Sequence, residues 1–156
     1  MKTEDRNINS TLKAADLELV IDSDKEIYDV KDGIIVSIKL INNAGQDIIV
    51  NTRLAPNYST APSDIRDVYF VISTSSEGVV PFDGFVHVFP IDEEDFVTLS
   101  PKDFVQKTYD LTDVYKLEGQ KDFVVYAVYE NQTLSNKDGI TWIGKVVSNS
   151  ITFAIK

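Results

Sequence analysis

Cysteine is absent from the 156-residue chain, and histidine occurs once, at His87. The first absence excludes disulfide frameworks, thiolate metal sites and cysteine nucleophiles. The second leaves too few imidazoles for a zinc centre, which in a chain without thiolates usually takes at least two. A serine triad would need His87 as its base, yet "FVHVF" sets that residue inside an apolar run that reads as strand. No nucleophile elbow, P-loop or dinucleotide-binding pattern occurs among the seven glycines. No cofactor and no metal are expected. The only catalysis left open is a carboxylate pair, and no spacing singles out an acid and a base. The expectation is a protein that is not an enzyme.

Long apolar runs are missing as well. None approaches the roughly 18 residues of a spanning helix, so no membrane span is expected. Basic charge is scarce: 15 Lys and Arg stand against 25 Asp and Glu, a net charge of −10. Such a field repels phosphate backbones, so nucleic acid is not an expected partner. It serves solubility or draws a basic partner. The opening "MKTEDRNINSTLKAAD" lacks the apolar core of a signal peptide. A cytosolic protein fits this, and so does an exported one whose signal has been removed. The expectation is the secreted or cell-surface case.

Helical periodicity is the third absence. No stretch of twelve residues carries apolar side chains at i, i+3, i+4 and i+7. What is present is alternation. Leu17, Leu19 and Ile21 oppose Glu18, Val20 and Asp22. Ile34, Val36, Ile38 and Leu40 oppose Ser37 and Lys39, and Val68, Phe70 and Ile72 oppose Tyr69 and Val71. These patterns predict strands with one buried face. "NNAGQD" predicts a turn in which Gly45 can take a positive φ and Asn43 tolerates one, and "IIVNTR" a returning strand. Pro81 and Gly84 mark an edge strand or bulge, and "IDEEDF" a loop or a single helical turn. Further strands are expected near 103–110, 122–130 and 145–155. In the last, Val147, Asn149, Ile151, Phe153 and Ile155 share a face. Residues 1–15 read as a flexible tail, and 16–156 as one domain. About eight short strands with turn signals predict an all-β chain, an immunoglobulin-like antiparallel β-sandwich, with a small barrel as the alternative.

In "KDFVVYAVYEN" both faces are apolar: Phe123, Val125, Ala127 and Tyr129 on one, Val124, Tyr126 and Val128 on the other. That predicts a central strand covered on both sides. Tyr115, just before it, is placed to bond backbone through its hydroxyl, as in the tyrosine corner of sandwich proteins. The acidic run Asp92, Glu93, Glu94, Asp95 reads as a solvated loop, a calcium loop or a site for a basic partner. "DSDKE" at 22–26 begins like an EF-hand but has Ile27 and Gly33 where Gly and Glu are required, so an EF-hand is rejected and a looser calcium loop stays open. Asn9, Asn57 and Asn131 head glycosylation sequons. Trp142, in "DGITWIGK", either plugs the core or stands at a loop tip to stack on a sugar or partner.

The run from Asp67 to Gly119 resembles the N-terminal β-sandwich region, or pro-region, of deuterolysin-like and peptidyl-Lys metalloendopeptidases. The residues that carry this are Phe70 and Val71; Phe82, Asp83 and Gly84; Asp95 and Phe96; Leu99, Ser100 and Pro101; Asp110 and Leu111; Tyr115, Leu117 and Gly119. Leu40 to Asn43 before it and "GKVVSNSITFAI" after it extend the likeness over about residues 17 to 155. Lys102 replaces the Gly that follows Pro101 in the family pattern, and extra residues separate Gly119 from Phe123. No HExxH occurs, so no catalytic residue carries over. The resemblance implies a non-catalytic module that binds a protein, a peptidase, as inhibitor, pro-domain or chaperone. The contact is expected from the connections at 54–66, 89–96 and 131–144, with Asn57, Tyr58, Asp92, Glu93, Glu94 and Trp142 as the site residues. A surface module that binds glycan or another protein, through Trp142 and the Tyr-rich strand, is the alternative.

Overall fold

Ile34, Val36, Ile38 and Leu40 are fully buried, while their neighbours Ile35, Ser37, Lys39 and Ile41 are half-exposed. This two-residue rhythm builds β3 (Ile35–Asn42), the centre of an antiparallel sheet with β1 (Leu17–Ser23) and β8 (Phe104–Asp110) on its flanks. The structure, a computed structural model, describes residues 12–56, 67–74, 76, 78–81, 91–117, 119 and 121–156. Leu12 already packs against the core and a 3₁₀ turn over Ala14–Asp16 leads into β1, so the chain joins the fold before residue 16.

The second sheet is organised on β9 (Lys121–Asn131). β5 (Val68–Thr74) runs antiparallel along one side of it, with Phe70 opposite Ala127. β10 (Gly144–Val147) and β11 (Ile151–Ile155) share its other side. β2 (Ile27–Tyr28) and β6 (Gly78–Val79) add two residues at either edge. A third pair, β4 (Ile48–Asn51) with β7 (Phe96–Leu99), continues the ribbon of β3 and β8. The fold is thus all-β and, among the described residues, its ladders are antiparallel apart from the parallel β2–β11 contact. Helical structure among the described residues is limited to short 3₁₀ turns. One core joins the sheets, with Leu19 and Ile38 from the first, Val125 and Phe153 from the second, and Val50 and Leu99 from the third pair.

Three sequence expectations are corrected. Neither Gly45 nor Asn43 takes a positive φ. The chain turns there because buried Asn42 accepts the amide of Ala44 and donates to the carbonyls of Gln46 and Leu99. β4 therefore does not return along β3 but crosses to β7, and Ile48, Ile49 and Val50 are buried on both faces. The strand expected over 145–155 is broken. Val147 faces Val128 and Ile151 faces Val125, so three residues span two on β9, the count of a β-bulge. Ser148 accepts the Ala127 amide on its Oγ at 2.8 Å. The bulge shifts the phase by one, so Val146 packs inward and Val147 is exposed.

Tyr115 does bond backbone. Its hydroxyl donates to the Phe70 carbonyl at 3.0 Å and accepts the Phe70 amide at 3.3 Å, filling the edge of β5 that short β6 leaves open. Burial pushes its pKa up to about 12, although the Phe70 bond works in the other direction. β9 is covered on its inner face, while on its outer face Val128 is buried and Val124 is exposed.

Candidate interaction surface at the loop end

The connections at 51–56, 91–95 and 132–143 meet at one end of the molecule. Thr52 is the junction of the first two. Its amide and its hydroxyl both donate to the Asp95 carbonyl, at 2.7 and 2.8 Å. Of the loop and the single helical turn left open for 91–95, the stretch takes the turn, a 3₁₀ helix over Glu93–Asp95 tightened by the Asp92 amide donating to Asp95 Oδ2. Glu93 ties it to the third connection. Its Oε1 accepts from Ser135 Oγ at 2.9 Å and its Oε2 from the Asn136 amide at 2.8 Å.

The 132–143 connection folds back on β4. Ile49 donates to the Ile140 carbonyl and accepts from the Trp142 amide, so residues 140–142 cover the free edge of β4. Gly139 has φ 128°, and a Cβ there would lie 3.1 Å from Ile49 Cδ1. Trp142 is 4% exposed and lies 6.0 Å from the Tyr129 ring. Asn131 is buried, and its amide nitrogen donates to the carbonyls of Thr133 and Trp142.

Beneath the loops, the β4 exit is fixed by a buried charge. Asp67 accepts Arg53 Nε at 2.6 Å, Arg53 Nη2 and Asn51 Nδ2 at 2.9 Å, and the Ala55 amide at 2.9 Å. Such a fully hydrogen-bonded carboxylate holds its surroundings rigid, because loss of any one partner leaves a buried group unsatisfied. Tyr129 bonds both backbone groups of Asn51, and Tyr109 donates to the carbonyl of Leu54, which sits at φ 52°. Burial drives the pKa of both tyrosines well above the ordinary value. The Asp67 charge raises each further, and the Asn51 bond offsets part of the shift at Tyr129.

No protein-family model matches the chain, and no curated protein matches it.

The site residues named from sequence divide as follows. Asp92 and Glu94 are exposed at the loop end, and half-buried Glu93 is committed to the neighbouring turn. Trp142 takes the core-plug position, not the loop tip. Asn57 and Tyr58, with most of 54–66, lie outside the described residues, as do His87, Phe82 and Gly84. The sequon at Asn131 is closed by burial. Among the described residues no three Asp, Glu or His converge as a metal site, and in the 22–26 loop Asp24 is engaged by the Tyr28 hydroxyl. Leu134, 64% exposed between Thr133 and Ser135, was not among the named residues. Its signal was a lone large apolar side chain in the polar run "NQTLSNKDG". A shallow groove of about 620 Å³ between β1 and β10 lies among Leu17, Leu19, Val146 and Val147, and none of the named residues lines it.

Proposed function

We propose that this chain is a non-catalytic protein-binding module of immunoglobulin-like sandwich architecture, with an endopeptidase as its partner. The observation that carries the reading is the joint pinning of the loop end: Thr52 to Asp95, Glu93 to Ser135 and Asn136, Ile49 to Ile140 and Trp142. Loops held on a rigid β scaffold are where binding surfaces concentrate. Loops fixed before binding lose less conformational entropy when a partner docks. The sandwich reading draws on a ribbon that leaves the first sheet at Asn42 and on the Tyr115 hydroxyl bonded to Phe70. The partner class comes from the resemblance of residues 67–119 to the pro-region of metalloendopeptidases. The glycan reading leans on Trp142, whose ring is buried, and receives no support from that residue.

The test is a binding screen of the immobilised full chain against purified metallo-, serine and cysteine endopeptidases. Turnover of a small substrate is followed in parallel. Saturable binding of at least one enzyme, with slowed turnover, is the expected result. A flat response across all three classes overturns the peptidase partner.

A further inference from the structure

Resting on the endopeptidase reading, we infer that residues 132–137 are the segment that enters the partner's cleft, with Leu134 as the side chain it reads. Four amides of the run 133–137 are occupied. Thr133 donates to Asn131 Oδ1, Ser135 to Thr141 Oγ1, Asn136 to Glu93 Oε2 and Lys137 to Ser135 Oγ. The Thr133 carbonyl is held as well, by Asn131 Nδ2. Leu134 alone in this run keeps its N–H without a partner among the described residues. Its side chain is also among the most exposed large apolar groups of the described residues, at 64%.

A cleft that takes an extended chain reads two things: backbone donors and acceptors for affinity, and one side chain in a pocket for specificity. Leu134 offers both at one position, and its neighbours' backbones are tied down from behind. Glu93 and Thr141 act as positioning residues here, since they touch the loop and not the partner. The partner class is an endopeptidase whose primary pocket accepts a branched aliphatic side chain. A fixed loop resists cleavage because the strand cannot relax toward the geometry of the reaction, whereas a loosened one becomes a substrate.

The experiment uses the full chain and two endopeptidases, one selective for apolar residues and one for basic residues. Wild type, Leu134→Asp, Leu134→Lys and Glu93→Ala are compared, with thermal unfolding as the folding control. Leu134→Asp is expected to weaken binding to the apolar-selective enzyme about 30-fold or more, the size of a hot-spot loss. Leu134→Lys is expected to shift binding toward the basic-selective enzyme. Glu93→Ala is expected to be cut at Leu134, read by mass, under conditions where wild type stays intact. Equal binding of wild type, Leu134→Asp and Leu134→Lys overturns the loop assignment and leaves the peptidase reading standing. An intact, normally binding Glu93→Ala overturns the positioning role. Failure of wild type to bind either enzyme, in a screen where other endopeptidases do bind, overturns the apolar-pocket assignment alone. Failure against every endopeptidase overturns both readings.

Discussion

Lys102 sits at the third position of a turn closed by the Asp103 amide on the Ser100 carbonyl, with Pro101 before it and φ at 71°. This is a type II turn, whose third position favours glycine. A side chain in the left-handed region costs about 1–3 kcal/mol, and glycine gives back part of that in chain entropy. Lys102→Gly is therefore expected to stabilise the protein by about 1 kcal/mol, read as a higher denaturant midpoint at unchanged slope. The exposed 3.4 Å contact from Lys102 Nζ to Asn43 offers little to set against this. A lowered midpoint would show that the lysine contact outweighs the strain. Gly33 is the opposite case. Its φ is 81°, and a Cβ would stand 2.5 Å from Asp110 Oδ2. That carboxylate, on its Oδ1, accepts the amides of Ile34 and Thr112 and the Thr112 hydroxyl. Burial raises the Asp110 pKa, but these bonds outweigh it and hold it below the usual carboxylate value. Gly33→Ala is expected to destabilise by more than 1 kcal/mol, from backbone strain and a displaced carboxylate together. The contribution of Asp110 is present above the unfolded carboxylate pKa and is lost as pH falls through the lowered folded value. Part of any Gly33→Ala penalty should therefore vanish in acid, which denaturation midpoints at neutral and acid pH would reveal.

Strand edges show how the elements are kept from pairing at random. On β1, the outward amide and carbonyl of Ile21 are both taken by the Asn149 side chain, at 2.8 and 3.1 Å. On β8, Lys107 reaches across to the carbonyls of Arg53 and Leu54, an inward-pointing charge of the kind that blunts edges. β2 and β6 are too short to template a partner strand. Asn149→Ala leaves two part-buried backbone groups unsatisfied and is expected to cost about 1–3 kcal/mol. Asn149→Asp should not rescue it, since a carboxylate accepts from the Ile21 amide but cannot donate to its carbonyl. Urea unfolding of the two variants checks this, and a loss below about 0.5 kcal/mol in both would dismiss the edge role. Asn149 also marks the limit of what alternation reveals. Strands with one wet face, such as β1 and β3, were legible because burial alternates along them. The bulge at Ser148 was not, since it exists only in register with β9, some twenty residues earlier. β4 was readable as a strand, but not its partner. Its residues are buried on both faces, so polarity carries no information on what it pairs with.

At the scale of the whole molecule, the candidate surface was half legible. Turn chemistry located its connections, and the acidic run was visible as a run. The partners that turn Glu93 from a free acid into a brace are 42 and 43 residues away. No local pattern reports such a distance. The same long-range bracing runs through the tyrosines. Tyr115 joins the approach to β9 with β5, Tyr129 joins β9 to β4, and Tyr109 joins β8 to the β4 exit. Each hydroxyl donates to a backbone carbonyl, which a phenolate cannot do. Burial raises all three pKa values above that of an ordinary tyrosine, and Tyr115 is pushed up to about 12. A raised value in the folded state means that the native protein holds protons the unfolded chain gives up. Stability from these groups is fully present below pH 10, and for Tyr115 it is lost as pH rises through about 12. Each linked ionisation steepens the loss by up to about 1.4 kcal/mol per pH unit. With several acting together, the expected result is a cooperative alkaline unfolding. Tyrosinate absorbance from these three residues should rise as the strand signal in circular dichroism falls. Tyr115→Phe should lower stability at neutral pH, by unpairing Phe70, and flatten the alkaline slope. Full tyrosinate formation with the strand signal intact would show that the hydroxyls brace nothing, and that the sheets hold together by apolar packing alone.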